Sequence, residues 1–570
     1  GKVDAANSNT ANYHYGVWLG NADSAALATV TTVSGAISIK GDATGNAGQY
    51  RRGIIMNKAA VSSDSGAITF DGQAGTATNC LDLYFFSADN TVSSLSGEVV
   101  LKGKSGSSSV FETGTISSGA SVTLQLSKLS VSSGKTLTLG GASPKVIEST
   151  ASEASFPAAI DLTGLAVSSN TTSVRVGKTS NVSTVTLGTA WTVAGPVSVY
   201  AGVGNQNANI TISSSASDYV LKTTVGGYVG SSVVVQTNGG NIVLWANSDK
   251  VSGSNSNSGR ISIGTSATLR SQGGKIWLGG GLDDGGTDSG MTGGANSTWT
   301  LSANDGLPDG YAQGNTGTNE AIGVYFNSGY TLSSAGGDIF IAGMEATTSS
   351  DATVAMVYLA GGLVDSGTGR IGIWGKSSGS ALGSSGIYLH ATNGAADTTI
   401  YSANRTASAI TIVGDQTGNT STFSDGITAA GHGVLDTTWY YTGVHIIASG
   451  LKNSADLANY PGGGITMIGK AYSGTGASGA HGIIWQWGDV IAKDGPITMS
   501  GYDYDAAGAF NSAGIYIGDN NGAMYQRFGA WTAHDASYNV GTYTDQANNV
   551  IDMTTSTSNI TLSATKFVFY

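Results

Sequence analysis

An eight-residue phrase recurs at a constant interval: Ser34-Gly35-Ala36-Ile37-Ser38-Ile39-Lys40-Gly41, Ser65-Gly66-Ala67-Ile68-Thr69-Phe70-Asp71-Gly72 and Ser96-Gly97-Glu98-Val99-Val100-Leu101-Lys102-Gly103, the step from Ser34 to Ser65 being repeated from Ser65 to Ser96. Apolar and polar residues alternate inside each copy, so one side of an extended segment faces a core and the other faces water. The flanking glycines mark corners where the chain turns. The phrase returns at Gly239-Gly240-Asn241-Ile242-Val243-Leu244, Gly259-Arg260-Ile261-Ser262-Ile263-Gly264, Gly273-Gly274-Lys275-Ile276-Trp277-Leu278 and Gly336-Gly337-Asp338-Ile339-Phe340-Ile341. It appears again at Gly369-Arg370-Ile371-Gly372-Ile373, Gly464-Ile465-Thr466-Met467 and Gly495-Pro496-Ile497-Thr498-Met499, with spacings that drift upward from the short step between Gly259 and Gly273.

A second phrase is interleaved with the first: Gly16-Val17-Trp18-Leu19, Gly53-Ile54-Ile55-Met56, Gly323-Val324-Tyr325-Phe326, Gly386-Ile387-Tyr388-Leu389, Gly443-Val444-His445-Ile446, Gly482-Ile483-Ile484-Trp485 and Gly514-Ile515-Tyr516-Ile517. Two strand types per repeat, separated by turns, predict a coil whose equivalent strands stack in parallel, because each short strand leaves an edge that the next coil satisfies. The expected fold is therefore all-β, a parallel β-helix or β-solenoid with loop insertions, right-handed by the preference of parallel crossovers. At roughly 25 to 30 residues per coil it would have about 20 coils and a length on the order of 100 Å. The structural rivals, tandem β-sandwiches or an up-and-down barrel, would require hairpins with Asn-Gly or Asp-Gly turns at short spacing, and few are evident.

Composition supports strands. The chain carries 86 Gly and 6 Pro, 11% of its residues are charged and 40% are hydrophobic. Helix surfaces normally need more Glu, Lys, Leu and Arg than this, whereas the hydrophobic share is too high, and too regularly placed, for a disordered Gly/Ser tract. Residues 1–235 read as coils rich in Ser, Thr and Val, and 236–570 as the same solenoid continuing with more aromatics and longer insertions, among them Leu282 to Gly314 and Ser402 to Tyr441. A net charge of −12 disfavours nucleic acid as a partner. No run is apolar enough for a membrane-spanning helix. The sequence starts at Gly1 without a basic-then-apolar leader, as expected of a processed product or an internal fragment. Cys80 is the single cysteine, so it is expected to be a small buried residue rather than half of an internal disulfide or a zinc ligand.

The run from Gly239-Gly240-Asn241-Ile242-Val243-Leu244-Trp245 through Gly259-Arg260-Ile261-Ser262-Ile263 to Gly273-Gly274-Lys275-Ile276-Trp277-Leu278-Gly279 resembles the repeat regions of large bacterial surface exoproteins of the filamentous-haemagglutinin-like, two-partner-secretion type. Val193-Ala194-Gly195-Pro196-Val197-Ser198-Val199 resembles the same repeats. The resemblance covers residues 120–345 well and the remainder in style, and neither the family's secretion domain nor a translocator barrel is recognisable. It implies a right-handed parallel β-helix, export to the bacterial cell surface or beyond it, and a role in adhesion, aggregation or biofilm.

Residues that could carry chemistry are sparse. Asp503 and Asp505 alternate on one side of an extended segment, and Asp283, Asp284 and Asp288 share a Gly-rich loop. Paired carboxylates of this kind serve β-helix polysaccharide enzymes, while solvated turns use the same residues. His14, His390, His432, His445, His481 and His534 are scattered, so each is expected on the surface or in a turn, with His445 pointing outward. Calcium could be held by the Asp283 to Asp288 loop or by Asp519-Asn520-Asn521-Gly522, although neither follows an EF-hand or nonapeptide pattern, so no cofactor is assigned. Aromatic clusters fit either an internal ladder or a ligand surface. The residues chosen as ligand-binding are Trp439, Tyr440, Tyr441, Trp485, Trp487 and Trp531.

The expected role is that of an extracellular structural or adhesive repeat protein without catalysis, meeting a glycan or cell-surface partner and able to self-associate along the solenoid axis or laterally. The alternatives are a self-assembling filament subunit and a polysaccharide-processing or tailspike-like β-helix.

Overall fold

The computed structural model describes residues 14–20, 26–44, 50–75, 77, 79–86, 89–104, 106–249, 259–287, 299, 301–314, 322–344, 355–376, 385–390, 398–416, 425–430, 444–448, 463–471, 481–485, 488–492, 495–502, 513–517, 526–528, 542–544, 550–552, 560–564 and 567–569. They belong to two compact units, Gly1–Thr223 and Thr224–Tyr570. The fold is a parallel β-solenoid in both. Among the described residues the strands pair in parallel, apart from Thr542–Thr544 with Val550–Asp552 and a few isolated bridges. No described helix is long and apolar enough to cross a membrane.

Each coil has three faces, one more than the two phrases predict. In the first unit, Arg51–Asn57, Ala59–Ser63 and Ile68–Ala74 succeed one another, and each pairs with its counterpart one coil away. The second-phrase strands form one face and the first-phrase strands another. The third face, Ala28–Thr32, Ala59–Ser63, Thr91–Ser94, Gly114–Ser118, Leu137–Gly140 and Leu165–Val167, has no glycine phrase to announce it. Two expectations change accordingly. Ile261 is in register with Val324, so the Gly259 segment lies on the second-phrase face, whereas Val444 pairs with Thr398 and Gly488, so the Gly443 segment leads into the third. The short step from Gly259 to Gly273 thus separates two faces of one coil.

Register is held by columns of inward side chains. In the second unit, Ile242, Ile276, Ile339, Ile371, Ile410, Ile465, Ile497 and Ile560 are stacked one above another. From Ile242 to Ile497 each is 0% exposed, and full burial of such a side chain contributes about 1.5–3 kcal/mol. The corresponding column of the first unit is Ile37, Ile68, Val99, Val122, Lys145, Val174 and Val197. Steps along these columns are uneven, short between Val99 and Val122 and far longer between Ile276 and Ile339. The coils of the second unit are therefore fewer and longer than a uniform repeat would give. Insertions leave and rejoin without breaking register. Ile339–Met344 pairs with Ile276–Leu278 through its first half and with Ala312–Gln313 through its second, so Ala312–Gln313 is spliced into the sheet at a corner.

That corner explains the phrase-ending glycines. A Cβ on Gly375 would lie 1.8 Å from the carbonyl oxygen of Gly386, on Gly469 1.9 Å from that of Gly482, and on Gly501 1.9 Å from that of Gly514. Gly41 and Gly53 repeat the arrangement in the first unit, at 2.1 Å. None of these glycines has a positive φ. Close backbone approach between consecutive strands excludes a side chain here, so the requirement is space rather than an unusual turn conformation.

The opposite corner is tied by hydroxyls. Ser63 and Ser94 accept the N–H of the glycine three residues on, at 2.8 and 2.9 Å, and Ser94 donates to the Gly66 carbonyl of the previous coil at 2.9 Å. In the second unit the buried Thr237, Ser271, Ser334 and Ser366 each donate to the carbonyl of the glycine three residues later. These bonds satisfy backbone groups that the turn would otherwise bury unpaired.

The ionisable side chains buried inside the first unit include Asp82 and Lys145, besides Arg51. Asp82 is 0% exposed and accepts the N–H groups of Ala74 at 2.8 Å and Lys104 at 2.7 Å. Burial nevertheless pushes its carboxyl up to about 7. Lys145 occupies the inward column, donates to the Gly140 carbonyl at 2.7 Å and to Ser143 Oγ at 2.9 Å, and is lowered by burial to about 8. Cys80 is buried and unpaired with any other cysteine.

Two outcomes are expected. Gly72→Ala, whose Cβ would sit 2.2 Å from the Asp82 carbonyl oxygen, destabilises by about 2 kcal/mol or more, while Gly75→Ala, with 3.7 Å to Arg51 Cδ, changes stability by less than about 0.5 kcal/mol, both read by urea unfolding. In the fold Asp82 keeps its proton to about pH 7, but the unfolded chain releases it near 3.8, so stability falls as pH rises through that window. Lys145 acts in the other direction, adding stability as pH rises from about 8 to 10.5. Urea midpoints measured across pH lose the first slope in Asp82→Asn and the second in Lys145→Met.

Candidate functional site

On the second-phrase face of the second unit, alternation sends the middle residue of each strand outward. Val324 and Phe326, Val357 and Leu359, and Ile387 and Leu389 are all 0% exposed, and the residues between them are Tyr325, Tyr358 and Tyr388. Parallel register puts these three tyrosines in one column, continuing through Ser262 to Tyr228. All are half-buried. Tyr325 and Tyr358 stack with ring centroids 5.2 Å apart at 18°, and Tyr358 and Tyr388 lie 5.4 Å apart at 31°.

His390 joins them because it lies two residues beyond Tyr388 on the same strand, and therefore on the same side. Its ring stacks on Tyr388 at 5.5 Å and 17°, and its Nδ1 is 2.9 Å from Tyr358 Oη. Burial, then the neighbouring Tyr325 and Tyr388, pushes the Tyr358 phenol up to about 12, and burial raises that of Tyr388. Tyr358 is accordingly a phenol at neutral pH, hydrogen-bonded to the His390 ring. Arg260 sits 5.7 Å over the Tyr228 ring at the other end of the column. The ladder presents ring edges and hydroxyls at the coil spacing of about 4.8 Å. It can hydrogen-bond an extended polar ligand along the solenoid and can pass a proton between Tyr358 and His390.

A second aromatic group sits on the first-phrase face beneath the spliced insertion. Trp277 stacks on Phe340 at 4.3 Å and 10°, Trp374 packs on Phe340 at 4.9 Å, and Trp299 closes edge-on over Trp374 at 5.2 Å. Trp277 Nε1 donates to the Pro308 carbonyl at 2.8 Å. Arg370, paired with Asp338 at 2.8 Å, stacks 4.5 Å from the Trp299 ring. All four large rings are buried, Trp299 being 6% exposed. This cluster is a second, outer core that fastens the insertion.

The carboxylates of the same insertion are engaged in shaping it. Asp283 accepts the N–H groups of Asp305 at 3.1 Å and Gly306 at 2.8 Å, Asp284 that of Gly286 at 3.0 Å, and Asp309 that of Gly285 at 2.7 Å. Burial raises Asp309 to about 6, with repulsion from Asp305, Asp283 and Asp284 added. Among the described residues no group of three or more His, Cys, Asp or Glu is placed to hold a metal ion.

Of the residues chosen as ligand-binding from sequence, only Trp485 lies among those described. It is 0% exposed at the end of His481–Trp485, which places it in the core and withdraws it as a surface platform. Trp439, Tyr440, Tyr441, Trp487 and Trp531 lie outside the described residues, as do Asp288, Asp503, Asp505, the Asp519 loop, His432 and His534. His445 falls in Val444–Ala448, where its side chain is not among those described. His390 and His481 are half-buried strand residues, and His481 lies 5.2 Å from Tyr516. The ladder itself was not singled out from sequence. The middle position of the second phrase was the available signal, since Tyr occupies it in Gly323-Val324-Tyr325-Phe326 and Gly386-Ile387-Tyr388-Leu389, but Met356-Val357-Tyr358-Leu359 lacks the leading glycine.

No family model matches the chain, and comparison with curated proteins and with solved structures gave no match.

Trp299→Ala removes the ring that joins Trp374, Trp277 and Arg370. It should loosen the insertion by about 3 kcal/mol, seen as faster proteolysis between residues 282 and 314 and a red-shifted tryptophan emission, with the coils intact.

Proposed function

We propose that the chain is an extracellular structural and adhesive repeat protein of the bacterial surface, of the filamentous-haemagglutinin-like type, and that it meets a glycan or cell-surface partner along its outward tyrosine ladder. The observation that carries this reading is the run of Tyr325, Tyr358, Tyr388 and His390, half-exposed and stacked across successive coils. Solenoid positions of this kind are free to vary, because they contribute little to the inward columns. Tyrosine combines apolar contact area with a hydrogen-bonding tip at low entropic cost, which is why it is enriched where proteins bind partners. The resemblance of residues 120–345 to surface-exoprotein repeats supports the bacterial, extracellular setting. Catalysis is not part of the proposal, since the described carboxylates of the insertion support its own backbone turns.

The test is binding of the purified protein to arrays of neutral and acidic glycans and to intact cells. Replacing both Tyr358 and Tyr388 with Ala should weaken attachment by about tenfold or more, the cost of removing a central aromatic contact, with the β-rich circular-dichroism spectrum retained. Attachment insensitive to both substitutions, or unaltered surface adhesion and aggregation in cells lacking the gene, would remove the reading.

A further inference from the structure

We infer that Tyr358 is a one-electron oxidation site whose phenoxyl radical couples to an adjacent ladder tyrosine, Tyr325 or Tyr388, stapling neighbouring coils through a dityrosine bond. Two independent features meet at this residue. The first is an imidazole within hydrogen-bond reach: Tyr358 Oη is 2.9 Å from His390 Nδ1. A phenol that loses an electron becomes strongly acidic, so the oxidation is eased when a hydrogen-bonded imidazole takes the proton in the same step. The second is a coupling partner in place. Tyr325 and Tyr388 hold their rings 5.2 and 5.4 Å from that of Tyr358, on strands that parallel register keeps adjacent.

Tyr84 has a proton acceptor but not the second feature. Its Oη lies 2.8 Å from Glu112 Oε1, but its register neighbours are Ile55 and Val110. It has no phenol beside it on either strand. Tyr358 has a phenol on both sides.

The chemistry balances with a one-electron oxidant such as a ferryl haem of a peroxidase or a hexachloroiridate(IV) ion. One oxidant takes an electron from Tyr358, whose Oη proton moves to His390 Nδ1 and on to water. A second oxidant takes an electron from the neighbouring phenol, whose proton is released to solvent. The two phenoxyl radicals form a bond between ring carbons ortho to the oxygens. Each of those carbons then gives up its hydrogen as its ring returns to the phenol form, the oxygen regaining a proton. In total two electrons pass to two oxidants, two protons are released, and the product is two mass units lighter than two tyrosines. The radicals are held side by side, so coupling within a chain competes effectively with coupling between chains, as expected for reactants at high effective concentration.

The experiment treats the purified full chain with hexachloroiridate(IV) and follows dityrosine fluorescence, then maps cross-linked peptides by mass spectrometry. The expected product joins the Tyr358 peptide to that of Tyr325 or Tyr388 within monomers, with a yield independent of protein concentration. Tyr358→Phe, which retains the ring, should abolish that cross-link while leaving the circular-dichroism spectrum unchanged. His390→Leu should slow its formation by about tenfold or more with all three tyrosines present, which a merely structural role for the imidazole would not do. The inference is overturned if the cross-link yield is unaffected by Tyr358→Phe, if the products map to other tyrosines, or if they join separate chains in proportion to concentration. These readouts do not depend on whether the ladder also binds a glycan.

Discussion

Consecutive strands of a coil come so close at one corner that a carbonyl oxygen occupies the place where a side chain would begin. Gly375 against Gly386, Gly469 against Gly482, Gly501 against Gly514 and Gly41 against Gly53 all meet in this way. Because the approach is backbone to backbone, no rotamer can relieve it, and the corner is confined to residues without a Cβ. Once that corner is set, the strands leaving it have fixed directions, and their inward residues fall into the isoleucine columns from Ile242 to Ile560. The Ser and Thr hydroxyls at the opposite corner then satisfy the turn carbonyls. Corner, column and hydroxyl tie are three parts of one device, repeated in each unit.

The inside of such a coil leaves little room for variety, so individuality moves outward. Outward positions carry the tyrosine ladder on one face and, beneath the insertion, the Trp277, Phe340 and Trp374 cluster on another. The two behave differently because only one is covered. Trp299 and the Pro308 carbonyl seal the tryptophan group into a secondary core, whereas Tyr325, Tyr358 and Tyr388 remain half-exposed, Tyr358 hydrogen-bonded to His390. The same outward register thus yields a fastening in one place and a reactive, contact-ready strip in another.

The parallel fold was legible because strict alternation in Gly-x-Ile-x-Ile segments reports which residues are buried. The third face was not, because Ala59-Ala60-Val61-Ser62-Ser63 and Thr91-Val92-Ser93-Ser94 each bury a single large apolar residue, Val61 or Val92, between small ones. The Gly259 segment was assigned to the wrong face because Gly-Arg-Ile-Ser-Ile satisfies both phrases and only pairing distinguishes them. The glycines were recognised as corner markers, yet their cause is crowding, which depends on the partner strand and leaves no trace in local sequence. The ladder was missed for a related reason. Tyr325, Tyr358 and Tyr388 are each separated by a full coil of chain, while the clusters that attracted notice, such as Trp485 and Trp487, are neighbours in sequence. A solenoid brings together residues one coil apart, so local clustering points to the wrong aromatics, and Trp485 proves to be core.

The in-register stack is the claim on which everything else rests, and paired cysteines test it directly. Thr466 and Thr498 are register partners and both are half-buried, while Ser500 partners Ile468 instead. With Cys80 replaced by Ser, the pair Thr466→Cys with Thr498→Cys would hold its Cα atoms about 4.8 Å apart, within reach of a disulfide, whereas Thr466→Cys with Ser500→Cys would be separated by about 8 Å. The stack predicts rapid disulfide formation under mild oxidation in the first protein and little in the second. Equal rates in the two, or faster closure of the off-register pair, would contradict it.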